Sequence, residues 1–217
     1  MSLAVLVMAK APRPGLVKTR LEPLLGPEGC AALQGELIAS ASRWAEKVAP
    51  GSAYLAYGPD GAREDELRPH VAQGVQAFPD GEGDLGDRLA FATQTVLAGE
   101  PGPLLVVGTD MPLLNPTHAR EAEHALLRCD LCFGPAPDGG YWLVGMSRPC
   151  PEIFALGDAW GGPEVLTRSL DLARRKGLTT ALIRPERDLD DAEDARALLA
   201  EPSLPADIAA LLAASAA

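Results

Sequence analysis

The chain has 217 residues, of which 47% are hydrophobic and 23% charged, a composition that excludes a disordered protein and predicts one folded α/β domain over residues 1–217. No apolar run reaches the roughly 18 residues that span a bilayer, and no basic stretch opens the chain as in a secretory signal, so we expect no membrane span and a cytoplasmic protein. The net charge of −11 would repel phosphate backbones, which argues against nucleic acid as a partner.

Strand-like and helix-like patterns alternate along the chain. Strands are predicted over residues 3–8, 52–57, 75–78, 104–107, 129–133, 141–144 and 178–183. Helices are predicted from near Pro27 to Val48, after Asp84 as N-cap, and over residues 117–127, 165–176, 191–199 and 206–213. This alternation predicts a three-layer α/β/α fold with a mostly parallel sheet, in which ligands bind at the carboxyl ends of the strands.

The loop after the first strand, AKAPRPGLVKTRL, is basic. Residues 1–20 contain four cations and no acid, while the rest of the chain carries a net charge of −15. Its cations are Lys10, Arg13, Lys18 and Arg20, and Gly15 lets the backbone approach a ligand. Arginine and lysine bind phosphate oxygens well, so the loop favours a small phosphorylated ligand. The alternative is a loop whose cations pair with acids elsewhere in the fold.

The segment GEGDLG, residues 81–86, is a literal GxGxxG between a strand and a helix. It does not follow the first strand, Glu82 and Asp84 would oppose a pyrophosphate, and no acid lies about 20 residues further on. An NAD-binding enzyme therefore remains only as an alternative hypothesis.

Two acidic motifs follow predicted strands. Asp110 lies three residues beyond the strand predicted over 104–107, and Asp188 and Asp190 alternate after the last strand. Carboxylates beside a phosphate site would repel the ligand unless a divalent cation lies between them, and Mg²⁺ is typically held by carboxylates together with substrate phosphates. The alternative for Asp110 is a helix-capping role, and Asp191 with the acids after it suits the first turn of the final helix through the helix dipole.

The segment PAPDGGYWLVG, residues 135–145, contains two glycines before a strand. These glycines would allow close backbone contact with a ligand, and Tyr141 and Trp142 could stack on a base or a sugar. The alternative is a tight turn at Asp138 followed by aromatic core residues.

The four cysteines indicate neither a disulfide framework nor a zinc site. Cys129 and Cys132 form a CxxC without a second ligand pair, and if both lay on one strand they would face opposite sides. We expect four reduced, mostly buried thiols. The three histidines show no ligand spacing.

Taken in order, AKAPRPGLVKTRL, GEGDLGDRL, GTDMP, PDGGYWLVG and DLDDAED make the sequence resemble a bacterial glycosyltransferase-A-like family, formerly of unknown function, in the nucleotide-diphospho-sugar transferase superfamily. The first and last motifs are also similar to those of the guanylyltransferases of coenzyme F420 and molybdenum cofactor synthesis. The resemblance covers nearly the whole chain and implies the nucleotide-diphospho-sugar transferase fold.

The resemblance also implies roles for residues at these positions. Phosphate or nucleotide contacts are expected from Lys10, Gly15, Lys18, Arg20, Gly83, Asp84 and Arg88. Contacts to the acceptor or sugar are expected from Asp138, Gly139, Gly140 and Trp160. A Mg²⁺ or Mn²⁺ ion is expected at Asp110, Asp188 and Asp190. Two residues depart from the family pattern. Leu16 stands where the family commonly has a basic residue, and the Ser/Thr that usually follows the tryptophan at position 160 is missing. No catalytic base is identifiable.

The leading hypothesis is a metal-dependent transferase that uses a nucleotide-diphospho-sugar and a small-molecule acceptor. The second is nucleotidyl transfer, in which a phosphorylated acceptor attacks a nucleoside triphosphate and pyrophosphate leaves. The third is a nucleotide-binding protein without turnover.

Overall fold

The computed structural model describes residues 2–58, 61–100 and 102–214. Its strands are β1 (Ala4–Lys10), β2 (Ala53–Gly58), β3 (Gln76–Pro79), β4 (Leu104–Gly108), β5 (Leu131–Pro135), β6 (Tyr141–Met146) and β7 (Thr180–Leu182). Its helices are α1 (Glu22–Val48), α2 (Glu64–Leu67), α3 (Leu85–Gly99), α4 (Pro116–Leu126), α5 (Val165–Arg175), α6 (Ala192–Leu199) and α7 (Ala206–Ala213). Short 3-10 turns lie at Thr19–Leu21, Arg68–His70, Pro151–Phe154 and Gly157–Ala159.

The seven strands form one sheet in the order β3-β2-β1-β4-β6-β5-β7. All pairings are parallel except those of β6, which runs antiparallel to both β4 and β5. Residues 136–140 are too short for the crossover of a dozen or more residues that a parallel connection needs, so the chain turns back as a hairpin. The predicted α/β fold with a mostly parallel sheet is confirmed.

Helices cover both faces of the sheet, because successive strand residues point to opposite sides. Val5 and Val7 pack in the core beneath α1 and α4, whereas Ala4 and Leu6 pack in the core beneath α3 and α5. A third cluster joins α1 to α6 and α7. Within the described residues, no helix is both long and apolar enough to cross a membrane.

Helix α1 begins in two steps. Gly26 has φ 67° and ψ 167°, which interrupts the helix, and Pro27 opens the continuous part, as the sequence predicts. The expected apolar face is buried from Cys30 to Trp44, and Val48 is half-buried at its end.

The sheet changes direction between β1 and β4. From β1 the chain places β2 on one side, and it later places β4 on the other. In open α/β sheets, the crevice at such a switch point is where ligands bind. The residues that follow β1, β3, β4 and β7 therefore meet at one edge, and Tyr141, at the start of the reversed β6, lies at the same edge.

Candidate functional site

A cavity of about 510 Å³ opens at the carboxyl edge of the sheet, over β1 and β4. Gly108 at the end of β4 lies on its floor. The loop after β1 forms one wall, and α3 forms another, with Tyr141 and Trp160 beside it. This volume lies within the range usual for small-ligand sites.

Lys18 connects the loop after β1 to two acidic segments. Its Nζ lies 2.5 Å from Asp110 Oδ1 and 3.3 Å from Asp190 Oδ1, and it donates a hydrogen bond of 2.6 Å to the Leu189 carbonyl. An ammonium has three donors, so all of them already have protein partners. A phosphate contact by Lys18 would therefore have to exchange one of these partners.

Lys18 has an unusual backbone conformation and a buried side chain. Lys18 has φ 50°, the only positive φ of a non-glycine residue in the part of the chain described. Its side chain is only 6% exposed. Burial lowers the pKa of Lys18, but attraction to Asp110 and Asp190 outweighs it, so the pKa is raised and the ammonium stays charged.

A carboxylate cluster lies beside Lys18. Asp138, Asp188 and Asp190 each offer an oxygen within 4.8 Å of the other two. Burial, followed by repulsion from Asp190, Asp138 and Asp110, raises the pKa of Asp188 to about 6. The cluster thus contains Asp188 and Asp190, two of the three acids expected at a metal site, together with Asp138, which the sequence had assigned to an acceptor or sugar. The third expected acid, Asp110, lies outside the cluster and is connected to Asp190 through Lys18.

Asp188 and Asp190 lie after β7 on an extended segment, residues 183–191, which we call the acidic strap. Its backbone is tied to the sheet edge, since Glu186 N donates to the Pro135 carbonyl (3.1 Å) and Leu189 N to the Asp110 carbonyl (2.8 Å). On α4, His118 Nε2 lies 3.1 Å from Glu186 Oε1. His118 is buried, and its ring packs against Trp142 at a centroid distance of 5.0 Å.

The remaining expected phosphate residues have different environments. Lys10 is exposed at the end of β1 and borders the cavity, whereas Gly15 (φ 75°) is exposed in the loop beyond it. Arg20 is 73% exposed, with Nη1 3.8 Å from Asp190 Oδ2. The loop is not a free basic surface, because Arg13 pairs with Glu66 at 2.6 Å.

Residues 81–88 contain the N-cap of α3, Asp84, and a cation that lines the cavity, Arg88. Asp84 is the N-cap of α3, where its Oδ1 accepts a hydrogen bond of 2.9 Å from Asp87 N, so its carboxylate occupies the helix end that a pyrophosphate would need. Arg88 Nη1 lies 3.0 Å from the buried Asp80 carboxylate, and both residues line the cavity. Gly83 has φ 94°, which suits the tight turn before the cap. The geometry thus disfavours the NAD alternative.

Asp138, Gly139 and Gly140 form the hairpin turn between β5 and β6. Asp138 Oδ1 accepts a hydrogen bond of 2.8 Å from Gly140 N. Gly139 has φ 90°, and a Cβ there would collide with the Pro163 carbonyl. The tight turn that the sequence analysis gave as an alternative is therefore present. It also holds Asp138 beside the acidic strap, where Asp138 could contact a ligand.

Three aromatic residues border the cavity, and one of them also belongs to the buried core. Trp142 is buried in the core, and its Nε1 donates to the Arg184 carbonyl at 3.3 Å. Tyr141 and Trp160 line the cavity edge-to-face, with ring centroids 6.3 Å apart. Trp160 Nε1 donates to the Phe154 carbonyl at 3.2 Å, which orients the ring.

The cysteines are free, as expected, and three of the four are buried. The expectation that Cys129 and Cys132 face opposite sides is wrong, because Cys129 precedes β5. Both thiols donate to carbonyls of α4, at Ala125 and Ala122. Burial raises the pKa of Cys132 to about 12, so its thiol stays neutral.

Sequence reasoning missed Gln34, Asp80, Thr109 and His118. Gln34 interrupts an apolar helix face, and a polar residue at such a position is the only signal that could have identified it. Asp80 directly follows β3, where the rule applied to Asp110 would have found it.

Comparisons with known proteins assign the chain to a family. The family described as "Uncharacterized protein conserved in bacteria (DUF2064)" matches residues 43–161, more than half of the chain. The chain belongs to this family. No curated protein is significantly similar to this DUF2064 member.

Solved structures share its fold. A proposed nucleotide-diphospho-sugar transferase from Desulfovibrio desulfuricans G20 has a TM-score of 0.87 and 25% identity over 99% of this chain and 95% of that one. A cytidylyltransferase from Leptospira borgpetersenii has a TM-score of 0.54 and 13% identity over 99% and 93% of the two chains. The inositol-1-phosphate CTP transferase from T. maritima has a TM-score of 0.53 and 12% identity over 98% and 95%. The DUF2064 chain therefore has the nucleotide-diphospho-sugar transferase fold expected from the sequence.

Proposed function

We propose that this protein is a metal-dependent transferase that uses a nucleotide-activated donor, with glycosyl transfer from a nucleotide-diphospho-sugar as the lead reaction. The observation that carries the proposal is one cavity bordered by Lys18 and Arg20 together with Asp110 and Asp190. A phosphate alone would be repelled by these acids, whereas a phosphate carrying a divalent cation suits both signs of charge. The neighbour at 25% identity, described as a nucleotide-diphospho-sugar transferase, supports this reading.

The acidic residues fit Mg²⁺ or Mn²⁺. Four carboxylates lie around two cations, Lys18 and Arg20, which leaves two negative charges for a divalent ion to balance. Burial is the largest cause of the raised pKa of Asp188, and repulsion from Asp190, Asp138 and Asp110 adds to it. All candidate ligands are oxygens, which hard cations prefer. Asp110, Asp188 and Asp190 would hold the ion, which when bound would stabilise the charge of the departing diphosphate.

The protein's own residues would orient the donor. Lys18 holds Asp110 and Asp190 in position through its ion pairs and adds positive charge beside the leaving group. Arg20 is exposed enough to bind a phosphate directly. Residues 81–88, through Arg88, would line the nucleotide.

The acceptor or sugar would lie directly beside the proposed metal site. Asp138 and the backbone of Gly139 and Gly140 stand next to the acidic strap, and Trp160 offers an aromatic surface at the rim. We also propose that residues 1–217 form a single functional domain.

Binding is the first test. Nucleoside di- and triphosphates and nucleotide-diphospho-sugars are titrated calorimetrically with Mg²⁺, Mn²⁺ or EDTA. We expect metal-dependent binding that is lost in Asp110→Asn and weakened in Arg20→Ala at low salt. Asp171→Asn and Arg174→Ala, at an exposed ion pair on α5, are the matched controls. Absence of binding by every nucleotide with either metal would overturn the proposal.

Product analysis decides the transferred group. With a panel of hydroxylated and phosphorylated small acceptors, release of free nucleoside diphosphate supports glycosyl transfer. Release of pyrophosphate from a triphosphate assigns nucleotidyl transfer instead, the chemistry of two proteins that share this fold. Tight binding without product from any donor identifies a nucleotide-binding protein.

A further inference from the structure

Gln34 is a polar residue on a buried helix face. It lies on α1 beside Leu33, Leu37 and Ile38, which are fully buried, and is itself only 3% exposed. A buried amide is costly unless its donors and acceptor have partners. Its contacts therefore show what it does in the fold.

The two N–H groups of Gln34 connect the two strands of the switch point. Nε2 donates to the Lys10 carbonyl at the end of β1 (3.1 Å) and to Thr109 Oγ1 just after β4 (3.2 Å). Because a backbone carbonyl can only accept, the amide nitrogen must be the atom that faces Lys10. This contact determines the orientation of the whole amide group.

The amide oxygen is left facing the ligand space. Gln34 lines the cavity, and its Oε1 has no hydrogen-bond partner among residues 2–58, 61–100 and 102–214. We infer that Gln34 is a specificity-determining residue whose Oε1 accepts a hydrogen bond from an O–H or N–H group of the bound nucleotide. This inference rests on the proposed function, because it requires a nucleotide in the cavity.

The partner of Oε1 must be a hydrogen-bond donor. An amide oxygen carries partial negative charge and only accepts, so it would repel phosphate oxygens. The nucleotide parts that can donate are the ribose hydroxyls and the amino or imino groups of the base. These two sources share one chemistry, and analogues that lack a single donor distinguish them.

The test compares ligands and variants in one cycle. The nucleotide that binds the wild-type protein best is titrated beside its 2′-deoxy and 3′-deoxy analogues and a base analogue without the exocyclic amino group. We expect one analogue to bind the wild type on the order of tenfold more weakly. In Gln34→Met, which keeps the side-chain length but offers no amide, that discrimination should disappear.

Two further variants separate recognition from a structural role. Thr109→Val removes one partner of the amide but leaves the Lys10 contact and Oε1, so it should keep the discrimination. Gln34→Lys retains a donor for the Lys10 carbonyl and has no acceptor, so it should lose the discrimination, and it replaces Gln34→Met if that variant does not fold.

The outcomes are distinguishable. Wild-type protein that binds nucleotides but treats every analogue alike overturns the inference and leaves the proposed function intact. The same holds if the Gln34 variants weaken all ligands by one common factor, since Gln34 is then only part of the scaffold. Wild-type protein that binds no nucleotide at all overturns the proposed function and this inference with it.

Discussion

Lys18 Nζ lies 2.5 Å from Asp110 Oδ1, so a cation from the loop after β1 meets the carboxylate that follows β4. The same ammonium lies 3.3 Å from Asp190 and donates to the Leu189 carbonyl. One buried side chain thus joins three segments that are distant in sequence, at the point where the cavity opens.

Replacing Lys18 by methionine should destabilise the protein. The change keeps much of the packing volume but leaves Asp110 and Asp190 without their shared cation, and loss of one partner of a buried pair typically costs about 3–5 kcal/mol. Because both carboxylates are partly exposed, we expect a loss of about 2–3 kcal/mol at pH 7.5, measured by urea unfolding in EDTA. Lys47→Met, at an exposed position on α1, is the control, and equal stabilities of the two variants would contradict the structural role.

Asp188→Asn should stabilise the protein at neutral pH without metal. The folded-state pKa of Asp188, about 6, lies above the ordinary aspartate value of 3.8, so the folded protein binds a proton more readily than the unfolded chain. The contribution of Asp188 to stability is therefore fully present below pH 3.8 and is lost as the pH rises through 6.

Asparagine does not titrate, so the variant avoids this loss. Allowing for solvent screening at a partly exposed carboxyl, we expect a gain of about 1–2 kcal/mol at pH 7.5 that disappears near pH 4. Urea unfolding in EDTA across this pH range measures the difference, and Asp171→Asn is the control. A variant less stable than the wild type at pH 7.5 would contradict the raised pKa.

Gly108→Val should obstruct the cavity without disturbing the fold. A Cβ at position 108 meets only the Asp110 backbone nitrogen, at 3.9 Å, so the strand accommodates it, and valine is well suited to strands. The branched side chain would occupy the cavity floor and should weaken nucleotide binding by at least about tenfold, with a stability change below about 1 kcal/mol. Calorimetric titration and thermal unfolding measure the two effects. Gly99→Ala is the control, because a Cβ there meets nothing within 4 Å, and neither affinity nor stability should change. Unchanged nucleotide affinity in Gly108→Val would show that the nucleotide does not bind in this part of the cavity.

His118→Phe tests the support of the acidic strap. Phenylalanine keeps the aromatic contact with Trp142 but loses the hydrogen bond to Glu186 and the one that Asn115 N donates to His118 Nδ1. Without the Glu186 contact, Asp188 and Asp190 should be held less firmly. Residues that orient metal ligands typically contribute tenfold or more to affinity, and we expect Mn²⁺ binding to weaken by about tenfold. His124→Phe, at an exposed position on the same helix, is the control. Equal Mn²⁺ affinities in the two variants would show that the strap is held without His118.

Local features of the fold were accessible from the sequence. Asp84 was predicted as a helix cap and is one, and the interruption at Gly26 explains why the helical pattern begins at Pro27. These features depend on neighbouring residues alone. The reversal of β6 was not predicted, although the residues between the strands predicted over 129–133 and 141–144 are already too few for a parallel crossover.

The candidate site was accessible only in part. Asp110, Asp188 and Asp190 could be expected at one edge because the ends of parallel strands meet there. The cations of the basic loop were expected to face a phosphate, whereas the fold pairs Arg13 with Glu66 and surrounds Lys18 with acids. Ion pairs between distant segments leave no pattern in a single sequence.

The amino-acid sequence by itself determined the α/β class, the positions of most strands and helices, and the acidic and basic character of the segments that follow them, because these depend on local periodicity and composition. Tertiary structure alone decided which charges meet. Contacts across the sheet edge determine the left-handed backbone of Lys18, the hydrogen-bond partners of Gln34 and the position of Asp138 beside Asp188 and Asp190. At this edge, packing brings together residues that are far apart in the sequence.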